Sequence, residues 1–143
     1  MADNPRAIYI CDENFTLIKT IDLDQFGYFS SQGICYVPWL DGYLISDNYI
    51  KRLAVINEAE EIVWEIHFDR LDPIPTAPQG VAVDYATREI LLSYYQPVDG
   101  IVRMNWGGIP QEVYPNTLWE STITYANPVS IAVVQEPFTF AAN

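Results

Sequence analysis

Short apolar and aromatic runs alternate with brief polar breaks along this chain, and nowhere does an apolar stripe recur at helical spacing. The runs are 7–11 (AIYIC), 16–23 (TLIKTIDL), 34–37 (ICYV), 43–46 (YLIS), 53–56 (LAVI), 62–68 (IVWEIHF), 81–85 (VAVDY), 89–95 (EILLSYY), 101–105 (IVRMN), 111–114 (QEVY), 130–134 (SIAVV) and 138–141 (FTFA). Each is rich in β-branched and aromatic residues and bounded by Gly, Pro, Asp or Asn, so each predicts a strand. Asp41-Gly42, Asp99-Gly100 and Gly107-Gly108 predict tight turns between them. The fold class that follows is all-β.

The pattern also repeats. Gln32-Gly33 recurs as Gln79-Gly80, 47 positions later, and Val129-Ser130 opens a weaker third unit 50 positions after that. Each complete unit reads as four strands in an antiparallel meander, and a period of about 40–50 residues is the signature of a β-propeller blade. Residues 7–21 lie over residues 52–66, with Ile10 on Val55, Cys11 on Ile56, Asp12 on Asn57, Leu17 on Ile62 and Ile21 on Ile66. Residues 7–24 therefore read as the outer two strands of a blade. The segment 127–143 matches the opening of the preceding unit, Asn127-Pro128 on Ala77-Pro78, and reads as the inner two strands. With whole blades at 31–70 and 78–115, residues 1–143 make one half-ring of three four-stranded antiparallel blades. The Pro-rich stretch 71–80 is a loop that returns the chain to start a new unit.

The unit SQGICYVPWLDGYLISDNYIKRLAVINEAEEIVWEI resembles the NHL-type repeat of six-bladed β-propellers. The matching residues are Gln32, Gly33, Ile34, Gly42, Asp47, Asn48, Arg52 and Leu53, then Pro78, Gln79, Gly80, Val81, Ala82, Val83 and Asp84. The second unit departs from the repeat by closing its second strand on SYYQ instead of Ser-Asp. The resemblance implies a ring of six blades, and three blades cannot close one, because propellers have roughly 4 to 8. Two copies supply six. In that homodimer the inner strands of each subunit complete the blade begun by the other subunit's outer strands, around a two-fold axis. An open head-to-tail filament is the geometric competitor.

Charge narrows the partners. Seven Lys and Arg against 19 Asp and Glu give a formal charge of −12, which repels nucleic acid and anionic membrane surfaces. No apolar stretch is long enough to span a membrane as a helix. The opening MADNPRAIYICDENF has neither a basic nor an apolar leader region, so the expected location is cytoplasmic by default. Cys11 and Cys35 lack metal-ligand spacing and read as small buried hydrophobes, with a disulfide between them left open.

No nucleophile elbow, zinc motif or phosphate loop is present, and the single histidine, His67, near a strand end, reads as a surface or satisfied residue. Lactonase-like propellers are a weaker resemblance, which implies a divalent cation such as calcium on hard ligands. Asp47, Asn48 and Asp84 are of that type, although Asx residues at such positions commonly hydrogen-bond turns. Among the aromatics, Trp39, Tyr49, Tyr95 and Trp106 sit beside turns and are candidate ligand-binding residues, whereas Tyr36 and Trp64 suit a wedge between blades. The expected function is a non-enzymatic propeller that self-assembles and binds a protein or glycan through its loop faces. The alternatives are a carbohydrate-binding lectin, a cation-dependent lactonase-like hydrolase, and a structural part of a virus particle.

Overall fold

The computed structural model describes residues 6–68, 78–94 and 100–115. The expected strands 130–134 and 138–141, the inner pair 127–143 and Tyr95 lie outside these residues. Ten strands are present: β1 (Ala7–Cys11), β2 (Leu17–Asp22), β3 (Ser31–Val37), β4 (Gly42–Asp47), β5 (Arg52–Asn57), β6 (Ile62–His67), β7 (Pro78–Val83), β8 (Ile90–Tyr94), β9 (Gly100–Met104) and β10 (Pro110–Pro115). The helical turns among the described residues are all of the 3-10 kind, at Asp24–Phe26, Pro38–Leu40 and Phe68, so the chain is all-β there.

The strands form three antiparallel sheets. β3-β4-β5-β6 and β7-β8-β9-β10 are four-stranded and paired in chain order, while β1-β2 stands as a two-stranded sheet. Alternation along the strands divides each sheet into two faces. On one face of the first four-stranded sheet, Val37, Leu44, Leu53 and Val55 pack on Val81, Val83, Leu92, Val102 and Met104 of the second. On the opposite face, Ile45, Ala54 and Ile56 pack on Ile8, Ile21 and Leu23 of the β1–β2 hairpin and its exit. Burial on both faces explains why β4 and β5 read as near-continuous apolar runs.

The two four-stranded sheets come closest along β3 and β7. A Cβ on Gly33 would stand 2.7 Å from the Gln79 carbonyl oxygen, 2.8 Å from the Val81 nitrogen and 2.9 Å from the Gly80 Cα. Only glycine fits at position 33, because every atom that a Cβ would meet is backbone. Ser46 Oγ accepts from the Gly33 N–H at 2.9 Å and donates to the Gln79 carbonyl, stitching the sheets together. Ser93, 47 positions on, likewise accepts from the Gly80 N–H at 2.8 Å.

Three hairpins share one turn. In β1–β2, Asp12 N donates to Thr16 O and Phe15, at φ 61°, donates to Asp12 O. In β5–β6, Asn57 N donates to Glu61 O and Glu60, at φ 62°, donates to Asn57 O. In β9–β10, Asn105 and Ile109 repeat the first bond, and Gly108, at φ 77°, makes the second. An Asp or Asn side chain braces each turn from inside. Pairing also shifts register at Ile10/Cys11 and at Val55/Ile56, which are equivalent positions.

Several strand ends differ from the sequence reading: β3 begins at Ser31, and β7 begins at Pro78, inside the stretch read as a loop, because both extend back to the point where the sheets meet. Asp84 and Tyr85 fall in a turn, because Asp84 Oδ1 accepts from the Ala86 and Thr87 amides and bends the chain out of β7. Phe68 leaves β6 and is buried in the core between the four-stranded sheets.

Candidate functional site

Among the described residues, an open region lies between β1 and β3. Along β3, Cys35 and Val37 turn toward the β7 sheet, so Ile34 and Tyr36 turn the other way. They are 52% and 43% exposed, whereas their repeat equivalents Val81 and Val83 are only 3% exposed beneath the neighbouring sheet. The uncovered strip forms two adjoining hollows of about 130 and 380 Å³ bordered by Ile8, Tyr9, Ile34, Tyr36 and Tyr43.

One wall of the gap is backbone. The Leu23 N–H donates to the Arg6 carbonyl at 2.8 Å, and Ala7 and Tyr9 pair with Asp22 and Thr20. Bonded and non-bonded pairs alternate in an antiparallel ladder, so the N–H and C=O of Ala7 and Tyr9 point away from β2 into the gap. Among the described residues no strand pairs with this edge.

Titratable groups around the gap are tied down. Tyr36 donates to Asp41 Oδ1 at 2.7 Å, and that bond raises its pKa. Tyr43 donates to Glu58 at 3.3 Å and is raised chiefly by burial. Burial pushes the Cys35 thiol up to about 12, so it carries no thiolate for nucleophilic chemistry near neutrality. Cys11 and Cys35 are both free, which answers the disulfide question left open by the sequence.

The chain matches no protein-family profile and no curated protein.

Asp47 and Asn48 sit at the β4–β5 turn, at the end of the sheet where β4 faces Ser31. The Asp47 carboxylate is fully buried and holds four backbone amides: Oδ2 accepts from Phe29 at 2.6 Å and Ser30 at 2.9 Å, and Oδ1 from Tyr49 at 2.9 Å and Ile50 at 3.1 Å. Asn48 anchors through its backbone N–H on the Ser30 carbonyl at 3.1 Å. Asp84 lies beyond Val83, at the opposite end of the paired sheets, where Trp39 meets Tyr85. Amide donation, from Ala86 first, holds its carboxyl below the usual range. The three hard ligands are thus not brought together. Among the described residues no group of three or more His, Cys, Asp and Glu side chains converges on a metal-sized space.

His67 pairs with Glu65 at 2.7 Å near the surface, and Glu65 stands 3.6 Å from Arg52. The Arg52 guanidinium stacks over the Tyr28 ring at 4.1 Å and donates to the Phe26 carbonyl at 2.8 Å. Burial raises the Tyr28 pKa, and its hydroxyl donates to the Ile45 carbonyl at 3.1 Å. This buried cation joins β5 to the loop entering β3, and it reaches no cavity described above.

Trp39 and Trp106 do come together, edge to face at 5.8 Å, with Tyr85 and Trp64 beside them. Trp64 Nε1 donates to the Trp106 carbonyl at 3.0 Å and Trp106 Nε1 donates to the Arg88 carbonyl, so both indole donors are used internally. The Arg88 guanidinium stands 5.6 Å over Trp39. Tyr49 is at the other end of the sheet, exposed and stacked on Phe29 at 4.3 Å. The sequence reading of residues 7–24 as half a blade anticipates an open edge beside β1; what it does not single out is the exposed pair Ile34 and Tyr36, which align with the buried Val81 and Val83.

Proposed function

We propose that this chain is a non-enzymatic binding or scaffold module built as three blades of an NHL-like propeller, and that two copies close into a six-bladed ring. The observation that carries the reading is the shared turn. The β1–β2 hairpin turns as the third and fourth strands of both four-stranded sheets do, so it corresponds to the outer half of a blade whose inner half comes from elsewhere. The face-to-face packing of the two complete sheets, narrowest at Gly33, supports a radial stack with β3 and β7 innermost.

A scaffold role is favoured over a lectin by the internal use of the Trp64 and Trp106 indole donors and by the edge-to-face packing of Trp39 on Trp106, as expected of rings wedged between blades. It is favoured over a hydrolase by the separation of Asp47 from Asp84 and by the saturation of the Asp47 carboxylate. Light scattering across a wide dilution series tests the ring. The expected mass is twice the 16.3 kDa of one chain at every concentration. A single-chain mass, or one that climbs with concentration as a filament does, overturns it.

A further inference from the structure

We infer that the gap beside β1 is a strand-acceptor site, and that its occupant is the segment 127–143 of a second copy of this chain. The inference rests on the ring reading and says how the ring closes.

The site needs two strands. In both complete sheets the outer hairpin is flanked by a second strand and then by the innermost strand, as β4 and β3 flank β5. The gap lacks both. A strand laid along β1 would take the outward N–H and C=O groups of Ala7 and Tyr9, and a strand beyond it would cover Ile34 and Tyr36.

Residues 127–143 carry the required pattern. Ile131 to Val134 follow Ser130 as Val81 to Val83 follow Gly80, and Phe138 to Ala142 come after the polar, Pro-containing break Gln135-Glu136-Pro137 as Ile90 to Tyr94 come after a polar break. In the complete sheets Tyr43 pairs with Ile56 and Ile90 with Met104. The equivalent position on β1 is Cys11, so Phe138 falls opposite Cys11, Phe140 opposite Tyr9 and Ala142 opposite Ala7.

Chain direction decides which copy supplies the strands. β1–β2 packs on one face of the β3–β6 sheet and the β7–β10 sheet packs on the other. Residues 127–143 follow β10, so their place by the repeat is the far side of the β7–β10 sheet. Reaching the gap of their own chain from there would close a ring of three blades, fewer than propeller packing accommodates. A second copy meets the gap with all six blades in place.

Disulfide trapping tests this. Two variants are made in a background with Cys11→Ser and Cys35→Ser, one carrying Tyr9→Cys and the other Phe140→Cys, and are mixed under unfolding and refolding before oxidation. The expected product is a covalent species of twice the chain mass containing one copy of each variant. A second pair, Ala7→Cys with Ala142→Cys, changes only methyl-sized side chains and guards against a folding defect in the first. If the mixtures give no covalent pair while a chain carrying both cysteines closes on itself, the segment fills its own gap and the inference is overturned. A doubled solution mass with neither kind of disulfide overturns the inference alone and leaves the two-copy ring standing. A single-chain mass removes both.

Discussion

Replacing Asp47 with alanine distinguishes an anchor from a cation ligand. Four backbone amides point at this carboxylate, two from the loop entering β3 and two from the turn after β4. A hydrogen bond to a charged group contributes about 1.5–3 kcal/mol, and the figure falls when water can enter the vacated space. Taking roughly 1 kcal/mol for each of the four amides after such rehydration, the substitution costs about 4 kcal/mol. Asp47→Asn keeps one acceptor oxygen and turns an NH2 group toward the other pair of amides, so it costs about half as much, roughly 2 kcal/mol. Urea unfolding followed by tryptophan fluorescence measures both. Chelator and added calcium are expected to leave the wild-type midpoint unchanged, since both oxygens are already taken. A loss below about 1 kcal/mol for Asp47→Ala, the scale of an ordinary surface change, would refute the anchor. So would a midpoint that rises with calcium in the wild type and not in the variant.

Other consequences are equally direct. Gly33→Ala must push β3 from β7, because the new methyl meets only backbone atoms; about 1–3 kcal/mol of stability is lost, measured by the same urea titration. Ser46→Ala leaves the Gly33 N–H and Gln79 carbonyl unpaired between the sheets and costs about 1–3 kcal/mol by that assay. Burial raises Cys35 from 9.0 to about 12 and raises Tyr28 and Tyr94 above 10.0. Groups raised in the folded state stabilise it fully below their unfolded pKa and lose that contribution as pH rises. Stability should therefore hold to about pH 9 and decline above it, and Cys35→Ala should move the onset toward pH 10 in a pH series of unfolding curves.

Much of the fold was legible in the sequence because strand period, turn residues and repeat spacing are local signals. The alignment of residues 7–21 on 52–66 anticipated a hairpin whose turn, bulge and left-handed residue coincide with those of β5–β6. The site was less legible. Asp47 and Asp84 look alike as hard ligands in a sequence, yet one braces a buried turn and the other an exposed turn at the opposite end of the sheets. Trp39 and Trp106 look like recognition residues beside turns, and only tertiary packing sets them edge to face with their neighbours. The half-blade at residues 7–24 follows from the repeat, but the residues that its missing strands leave bare do not: Ile34 and Val81 are alike in sequence and differ in burial only through what packs on them.

Hydrogen exchange at the Ala7 and Tyr9 amides tests the central claim most directly. These two N–H groups point out of the β1 edge, so their protection reports whether another strand pairs with it. If 127–143 of a second copy fills the gap, both amides exchange slowly at every concentration, in a protein of twice the chain mass. Fast exchange at every concentration would mean that the edge stays open. Slow exchange independent of concentration, in a protein with the mass of one chain, would mean that the chain covers itself, and either result contradicts the account.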